Sequence, residues 1–284
     1  MELRPIERSD IESAVAITER GFATPPKTTW AAIFDRFADL QGKHLTGPIG
    51  YILRKDDADV GIILTLRSPR SNAHEHAGNV VNLSGWYIDE PYRWYAPMML
   101  KKILREKNTV FTDLTASVEV SKMLPALKFK EWADGVLTTT LPQSLTHYRR
   151  DVSIVAYDKI EPGKIDAAQS ALLQDHAQMG CISCVMTIDG THHPLIFITR
   201  YRRNIPHAYL IYAENREAVL SALGNITFHL LKHGKFLLAL DCNEEEAPRA
   251  GSFRKTTWYK YFSGTEKHRG IDYAYSEFVY LNCS

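Results

Sequence analysis

Cysteine is scarce in this chain, four in 284 residues, which argues against a small secreted scaffold stapled by disulfides. Only Cys181 and Cys184 are spaced C-x-x-C. With neither a second pair nor a suitably spaced histidine pair beside them, they form a poor zinc signature and read as buried or free thiols. A thioredoxin-like role is disfavoured as well, because the pair follows a polar helix-like stretch and not a strand. Long apolar runs are also missing: none approaches the ~18–20 residues that span a bilayer. An excess of one charge is absent too, with 34 Lys and Arg against 33 Asp and Glu, so net charge points to neither nucleic acid nor an acidic membrane as partner. The opening Met1-Glu2-Leu3-Arg4-Pro5-Ile6 lacks the basic start and apolar core of a secretion signal, and a cytoplasmic location is expected.

What is present is an ordinary globular composition, 45% hydrophobic and 24% charged, in a chain long enough for about two domains of ~100–200 residues. A short strand at Leu3 leads to a Ser9 or Asp10 cap and a helix ending near Gly21. A second helix over 29–40 gathers Trp30, Ile33, Phe34 and Phe37 on one face. Strands 50–53 and 60–66 flank the polar turn 55–59, which predicts a hairpin. The loop 71–78 holds His74, Glu75 and His76, a weak metal pattern with no further ligand spacing, and no metal is expected.

The most informative stretch is 80–104, VVNLSGWYIDEPYRWYAPMMLKKIL, where a strand runs through a short polar turn into an amphipathic helix. A helix beginning near Ala96-Pro97 would present unpaired N–H groups, a natural place for a pyrophosphate, with Arg93 beside it. This segment resembles the acyl-CoA motif of the GNAT superfamily of acyl-CoA N-acyltransferases. Ile88 and Arg93 fall at the family's last strand residue and leading basic residue, whereas Ala96 and Met98 stand where two glycines are usual. The resemblance covers roughly residues 1–140, because the order of elements is the family's order. Ser121–Phe129 resembles the helix that ends in its Leu-Gly-Phe signature, with Lys128 for the glycine and Leu124 where a thiolate-protonating tyrosine is common.

After Pro142–His147 the pattern of elements starts again, and the run from Tyr209 to Asp241 takes the place that 81–113 holds in the first half. The expected fold is α/β (α+β): two GNAT-like domains, each a mixed, mostly antiparallel sheet flanked by helices. The expected division is an N-terminal domain over 1–141, a linker over 142–150 and a C-terminal domain over 151–284. In the second half, 217–233 reads as one amphipathic helix and 273–280 as a half-buried strand.

The resemblance implies an acyltransferase that takes acetyl-CoA or another acyl-CoA as co-substrate, through Tyr87, Ile88, Arg93, Trp94, Tyr95, Ala96 and Met98. The acceptor is expected to be the amine or hydroxyl of a small polar or sugar-like molecule. Direct attack on a thioester needs a base and a stabilised oxyanion. Asp89, Asp113, Glu119 and Tyr87 are the candidate catalytic residues, each with an ordinary structural role as its alternative. A different class of reading keeps the scaffold without turnover, as a binding or assembly module. The basic, aromatic tail over 253–280 offers nucleic-acid stacking as a third, which the neutral overall charge disfavours. A small-molecule acceptor is the expected partner, with no nucleic acid and no membrane span, and a homodimer is left open.

Overall fold

The computed structural model describes residues 1–23, 29–70, 78–202, 204–263 and 269–280. The loop carrying His74, Glu75 and His76, and Lys267 of the tail, lie outside the described residues. Along the first half run β1 (Glu2–Pro5), α1 (Ile11–Gly21), α2 (Trp30–Leu40), β2 (Gly50–Lys55), β3 (Ala58–Arg70), β4 (Gly78–Ile88), α3 (Ala96–Ile103), β5 (Thr109–Asp113), α4 (Val118–Met123), β6 (Phe129–Glu131), β7 (Gly135–Thr140) and α5 (Leu141–Ser144). Along the second run β8 (Ser153–Ala156), α6 (Ala167–Gln178), β9 (Ile182–Ile188), β10 (Thr191–Arg202), β11 (Ile205–Ala213), α7 (Arg216–Ser221), α8 (Leu223–Leu231), β12 (Leu237–Cys242), β13 (Ser252–Lys255), β14 (Tyr261–Ser263), β15 (Ile271–Asp272) and α9 (Glu277–Tyr280).

Local chemistry accounts for the expected elements. The 55–59 turn closes a two-residue hairpin in which Asp56 and Asp57 both take positive φ, 49° and 63°, the geometry that matches strand twist. Thr29 caps α2 by accepting from the Ala32 amide. Asp166 and Gln169 form a reciprocal capping box at the start of α6.

These elements build a mixed α/β molecule with two mostly antiparallel sheets flanked by helices. The first sheet has the order β1-β2-β3-β4-β5-β14-β6, and the second β13-β7-β12-β11-β10-β9-β8, with β15 added against β11. Each sheet contains one parallel pair, β4 with β5 and β11 with β12, and in each case helix lies between the two strands in sequence. The halves exchange strands: β7 from the first half pairs in the second sheet, and β14 from the second half pairs in the first.

Two sequence readings of the second half are corrected. The single helix read over 217–233 breaks at Ala222, which leaves helical geometry at φ −122° and ψ 25°. The break seats Gly224 so closely that a Cβ there would lie 2.8 Å from the Ser144 carbonyl oxygen and the Tyr148 backbone. The half-buried strand read over 273–280 is instead a turn followed by α9, with every residue from Tyr273 to Tyr280 buried. Both sides of that segment are covered, so its alternation reports no solvent face. Its aromatics are core side chains and cannot serve as a stacking platform.

Candidate functional site

The two strands β4 and β5 run parallel only from Asn79 opposite Thr109 to Leu83 opposite Asp113. Beyond that point β5 ends, while β4 continues to Ile88, paired on its other side with β3. Among the described residues no strand takes up the vacated side, so Ser84–Ile88 present an open strand edge. Ser84, Gly85, Trp86 and Tyr87 are only half-buried, in contrast to the buried run before them. In the second sheet the corresponding place is filled: β11 pairs with β12 at Ala208 and Tyr209, and with β15 at Tyr212 and Ala213.

A bulge shapes this edge. The register between β3 and β4 shifts between Ile62 opposite Tyr87 and Leu64 opposite Ser84, so Gly85 and Trp86 share one place in the pleat. Gly85 takes φ +51°, and a Cβ on it would come within 3.0 Å of Leu64 Cδ1, two reasons for glycine here. The bulge puts Trp86 on the face covered by α3 and α4, with Leu83 and Ile88, and turns Tyr87 to the opposite face against α1, beside Phe22. The Trp86 indole N–H is buried with no acceptor among the described residues.

Asp113 stands where β5 ends. It is 7% exposed, accepts a 3.3 Å hydrogen bond from the Thr115 amide, and burial pushes its carboxyl up to about 7. Tyr261 on β14 is its cross-strand partner and packs on the α3/α4 face. Burial raises the Tyr261 hydroxyl, which therefore keeps its proton at neutral pH. On the other face Asn82 Nδ2 donates to Thr112 Oγ1 at 3.2 Å. Thr115 Oγ1 donates at 3.0 Å to Glu277 of α9, a carboxyl that burial pushes up to about 8.

The structure places the other expected catalytic residues as follows. Asp89 is bound at two points by Arg20, Nε to Oδ1 at 3.1 Å and Nη2 to Oδ2 at 2.9 Å, and opens the 3₁₀ turn Glu90–Tyr95. Glu119 is exposed in the first turn of α4, where its own backbone N–H and Ser117 hold its carboxyl below the ordinary range. Leu124, at the signature tyrosine position, is fully buried, and Lys128, at the signature glycine, takes φ +67°.

Helix α3 begins at Ala96, as expected, but its tip offers fewer free amides than expected. The 3₁₀ turn leads straight into α3, so the Ala96 amide already donates to the Arg93 carbonyl, and Pro97 has no N–H. Arg93, Trp94 and Met98 are exposed, Tyr95 and Ala96 half-buried, and Ile88 buried. Along the outer side of α3 runs a groove of 510 Å³ lined by Trp94, Pro97, Met98, Lys101, Lys102 and Arg105. Three cations and an exposed indole there offer more to an anionic nucleotide than the helix tip does.

A cavity of 180 Å³ does lie between the halves, lined in part by Lys43, His44, Arg70, Asp175, Tyr212 and Tyr275. It adjoins Arg70, which pairs with Gly78 at the far end of β4, so about five strand residues, roughly 15 Å, separate it from the fork. Among the described residues no group of three His, Cys, Asp or Glu side chains could hold a metal ion. Also among them, no helix is long and apolar enough to cross a membrane. Cys181, Cys184 and Cys242 are buried free thiols, and burial pushes Cys184 up to about 12.

The sequence-based reading names Asp113 as a candidate and does not name Tyr261, Glu277 or Asn82, which the structure places near it. Nothing local marks the first two, since pairing between the halves brings them to the fork. No family model and no curated protein matches the sequence. Solved structures do match. A GCN5-related N-acetyltransferase from Anabaena variabilis aligns over 92% of this chain and 72% of its own, with a TM-score of 0.57 and 10% identity. An acetyltransferase-like protein from Pyrococcus horikoshii aligns over 97% and 93%, with a TM-score of 0.50 and 14% identity. A glucosamine N-acetyltransferase region of a fungal multi-domain β-N-acetylglucosaminidase aligns over 92% and 37%, with a TM-score of 0.52 and 12% identity. At these identities the likeness is one of architecture: the chain has the GNAT fold.

Proposed function

We propose that this chain transfers an acyl group, acetyl or longer, from coenzyme A to an amine or hydroxyl of a small polar or sugar-like acceptor, at the fork where β5 stops and β4 continues. The observation that carries the reading is the open edge Ser84–Ile88 beside a buried carboxyl at Asp113. An unpaired strand edge recognises an extended, amide-bearing arm by main-chain hydrogen bonds, as in strand addition. The Lys101, Lys102 and Arg105 groove, with Trp94, suits the phosphates and adenine at the other end of the same molecule.

In this reading Asp113 takes the proton from the attacking amine or hydroxyl, since a base near 7 is matched to neutral pH. Tyr261, neutral and on the thioester side of the sheet, returns a proton to the departing thiolate in place of the missing signature tyrosine. The buried Trp86 indole N–H is a donor available to a carbonyl held along the edge. Tandem GNAT-like halves, divided near 142–150, fit the two sheets, and the second half serves as scaffold because β15 occupies its edge. A sugar amine as acceptor draws support from the glucosamine N-acetyltransferase region among the similar structures. The free thiols of Cys181, Cys184 and Cys242 suit a reducing cytoplasm.

Calorimetry with acetyl-CoA and longer acyl-CoA on wild type, Arg93→Ala and Trp94→Ala, followed by a thiol-release assay across amines and amino sugars, tests the reading. Binding weakened by Trp94→Ala, with thiol release that needs an acceptor, is the expected result. Wild-type protein that binds no acyl-CoA would overturn it.

A further inference from the structure

β14 is only three residues long, yet it fills the place between β5 and β6 and sets Tyr261 opposite Asp113. A strand this short has few ladder bonds to fix its register, and a slip of one residue would turn Tyr261 from the α3/α4 face to the other. Ties at its two ends make up the difference. At the far end Ser263 Oγ accepts the Phe111 amide of β5 at 2.8 Å. At the near end the Lys260 carbonyl accepts the Trp132 amide at 2.8 Å, and the Lys260 side chain crosses to the second half.

That side chain ends on Asp241 of β12, Nζ to Oδ2 at 2.9 Å, with the two side chains 13% and 3% exposed. The ammonium also lies over the rings of Tyr209, Tyr273 and Phe278, at 5.7, 5.7 and 5.9 Å. Tyr209 donates to Asp241 Oδ1 at 2.8 Å and Tyr273 to Oδ2 at 2.6 Å, so the carboxylate that Lys260 meets is itself held in place. Burial works against the ammonium, but the Asp241 charge outweighs it and keeps Lys260 protonated. Asp241 lies near the end of β12 much as Asp113 ends β5, and the two carboxyls are used differently. Asp113 accepts the Thr115 amide, whereas Asp241 is bonded by one cation and two phenols.

We propose that Lys260 is a positioning residue of the transfer site: tied to Asp241 across the two halves, it fixes the register of β14 and so keeps Tyr261 on the face where the departing thiolate takes its proton. The inference rests on the acyl-transfer reading for the role of Tyr261, and on the strand pairing and the Lys260–Asp241 contact alone for the tie.

Lys260→Met by itself strands a buried carboxylate, so the test uses Lys260→Met together with Asp241→Asn, which cuts the tie and leaves no charge behind. Amide exchange at 261–263 is expected to speed about tenfold, the size of one hydrogen bond to a charged group, with β2 and β3 unchanged. In thiol release kcat should fall about tenfold with KM for acyl-CoA held, because the edge Ser84–Ile88 and the α3 groove are untouched. Added to Tyr261→Phe, the same two changes should lower kcat no further, since a tie that acts through the tyrosine then has nothing to position. An unchanged kcat, losses that multiply in the Tyr261→Phe background, or exchange at 261–263 equal to wild type overturns the proposal. Wild-type protein without acyl transfer removes the role of Tyr261 instead, and the exchange measurement still decides whether Lys260 holds β14.

Discussion

Tyr261 stands directly opposite Asp113 across the β14–β5 pair, although the two residues come from opposite halves of the chain. Directly opposed residues put their side chains on one face, so a neutral phenol and a carboxyl titrating near neutrality share the end of the fork. A base and an acid with separated ionisation are what direct attack on a thioester requires.

Asp113→Asn tests the base. The change keeps shape and the bond from the Thr115 amide, so acyl-CoA binding should be unaltered by calorimetry, while thiol release falls by ~10²–10⁴-fold. In wild type the ionised carboxylate is the active form, so the rate should climb as pH rises through about 7. A rate flat across that range would remove Asp113 from the mechanism.

The groove along α3 gives an independent test. Replacing Lys101, Lys102 and Arg105 together by Ala should weaken acyl-CoA binding ~10–100-fold at low salt, at about 0.5–1 kcal/mol for each exposed charge. The loss should shrink as salt is added, because these cations are in solvent. Dephospho-CoA, with fewer charges, should register less of it.

Much of the first half is legible in the sequence because its signals are local. The apolar faces of α1 and α2, the Asp56-Asp57 hairpin and the strand-turn-helix around Tyr87 to Leu100 each need only neighbouring residues to be read. What was hidden depends on distant partners. β14 is three residues long and exists only because β5 and β6 accept it. Glu277 lies in an aromatic-rich run whose alternation looked like a strand, since a segment covered on both sides shows no polar face. Asp113 was legible as a strand-end carboxylate, but its raised titration comes from a fold that buries it.

Lys128 at φ +67° occupies the left-handed position where the family signature has glycine. A side chain there costs roughly 1–2 kcal/mol, partly offset by the extra freedom glycine has when unfolded. Lys128→Gly should therefore stabilise the protein by about 1 kcal/mol in urea melts, with acyl-CoA binding unaffected. Destabilisation would show that the Lys128 side chain makes a contact worth more than the backbone strain.

Glu277 and Asp113 also govern how stability depends on pH. Their folded values, about 8 and about 7, lie above the ordinary values of 4.5 and 3.8, so the folded state holds more protons than the unfolded one between those limits. Stability must then fall as pH rises through that window, with Glu277 alone accounting for on the order of 5 kcal/mol at about 1.4 kcal/mol per unit. Glu277→Gln should show a shallower decline and a higher melting temperature than wild type at alkaline pH. Parallel curves for the two proteins would contradict a protonated Glu277.

Arg70 and Asp272 join the two sheets through a buried two-point contact, Nε to Oδ2 at 2.6 Å and Nη2 to Oδ1 at 2.9 Å, with side chains 2% and 1% exposed. Arg70 ends β3 of the first sheet, and Asp272 lies in β15, the strand that fills the edge of the second. Arg70→Met takes the balancing cation from a buried carboxylate and should cost ~3–5 kcal/mol. Much of that penalty belongs to the stranded charge and not to the lost attraction. The double change Arg70→Met with Asp272→Leu should therefore recover most of the stability, although it removes every bond of the pair. If the double variant is instead as unstable as the single one, the pair contributes net attraction across the two sheets, and β15 depends on it to stay against β11.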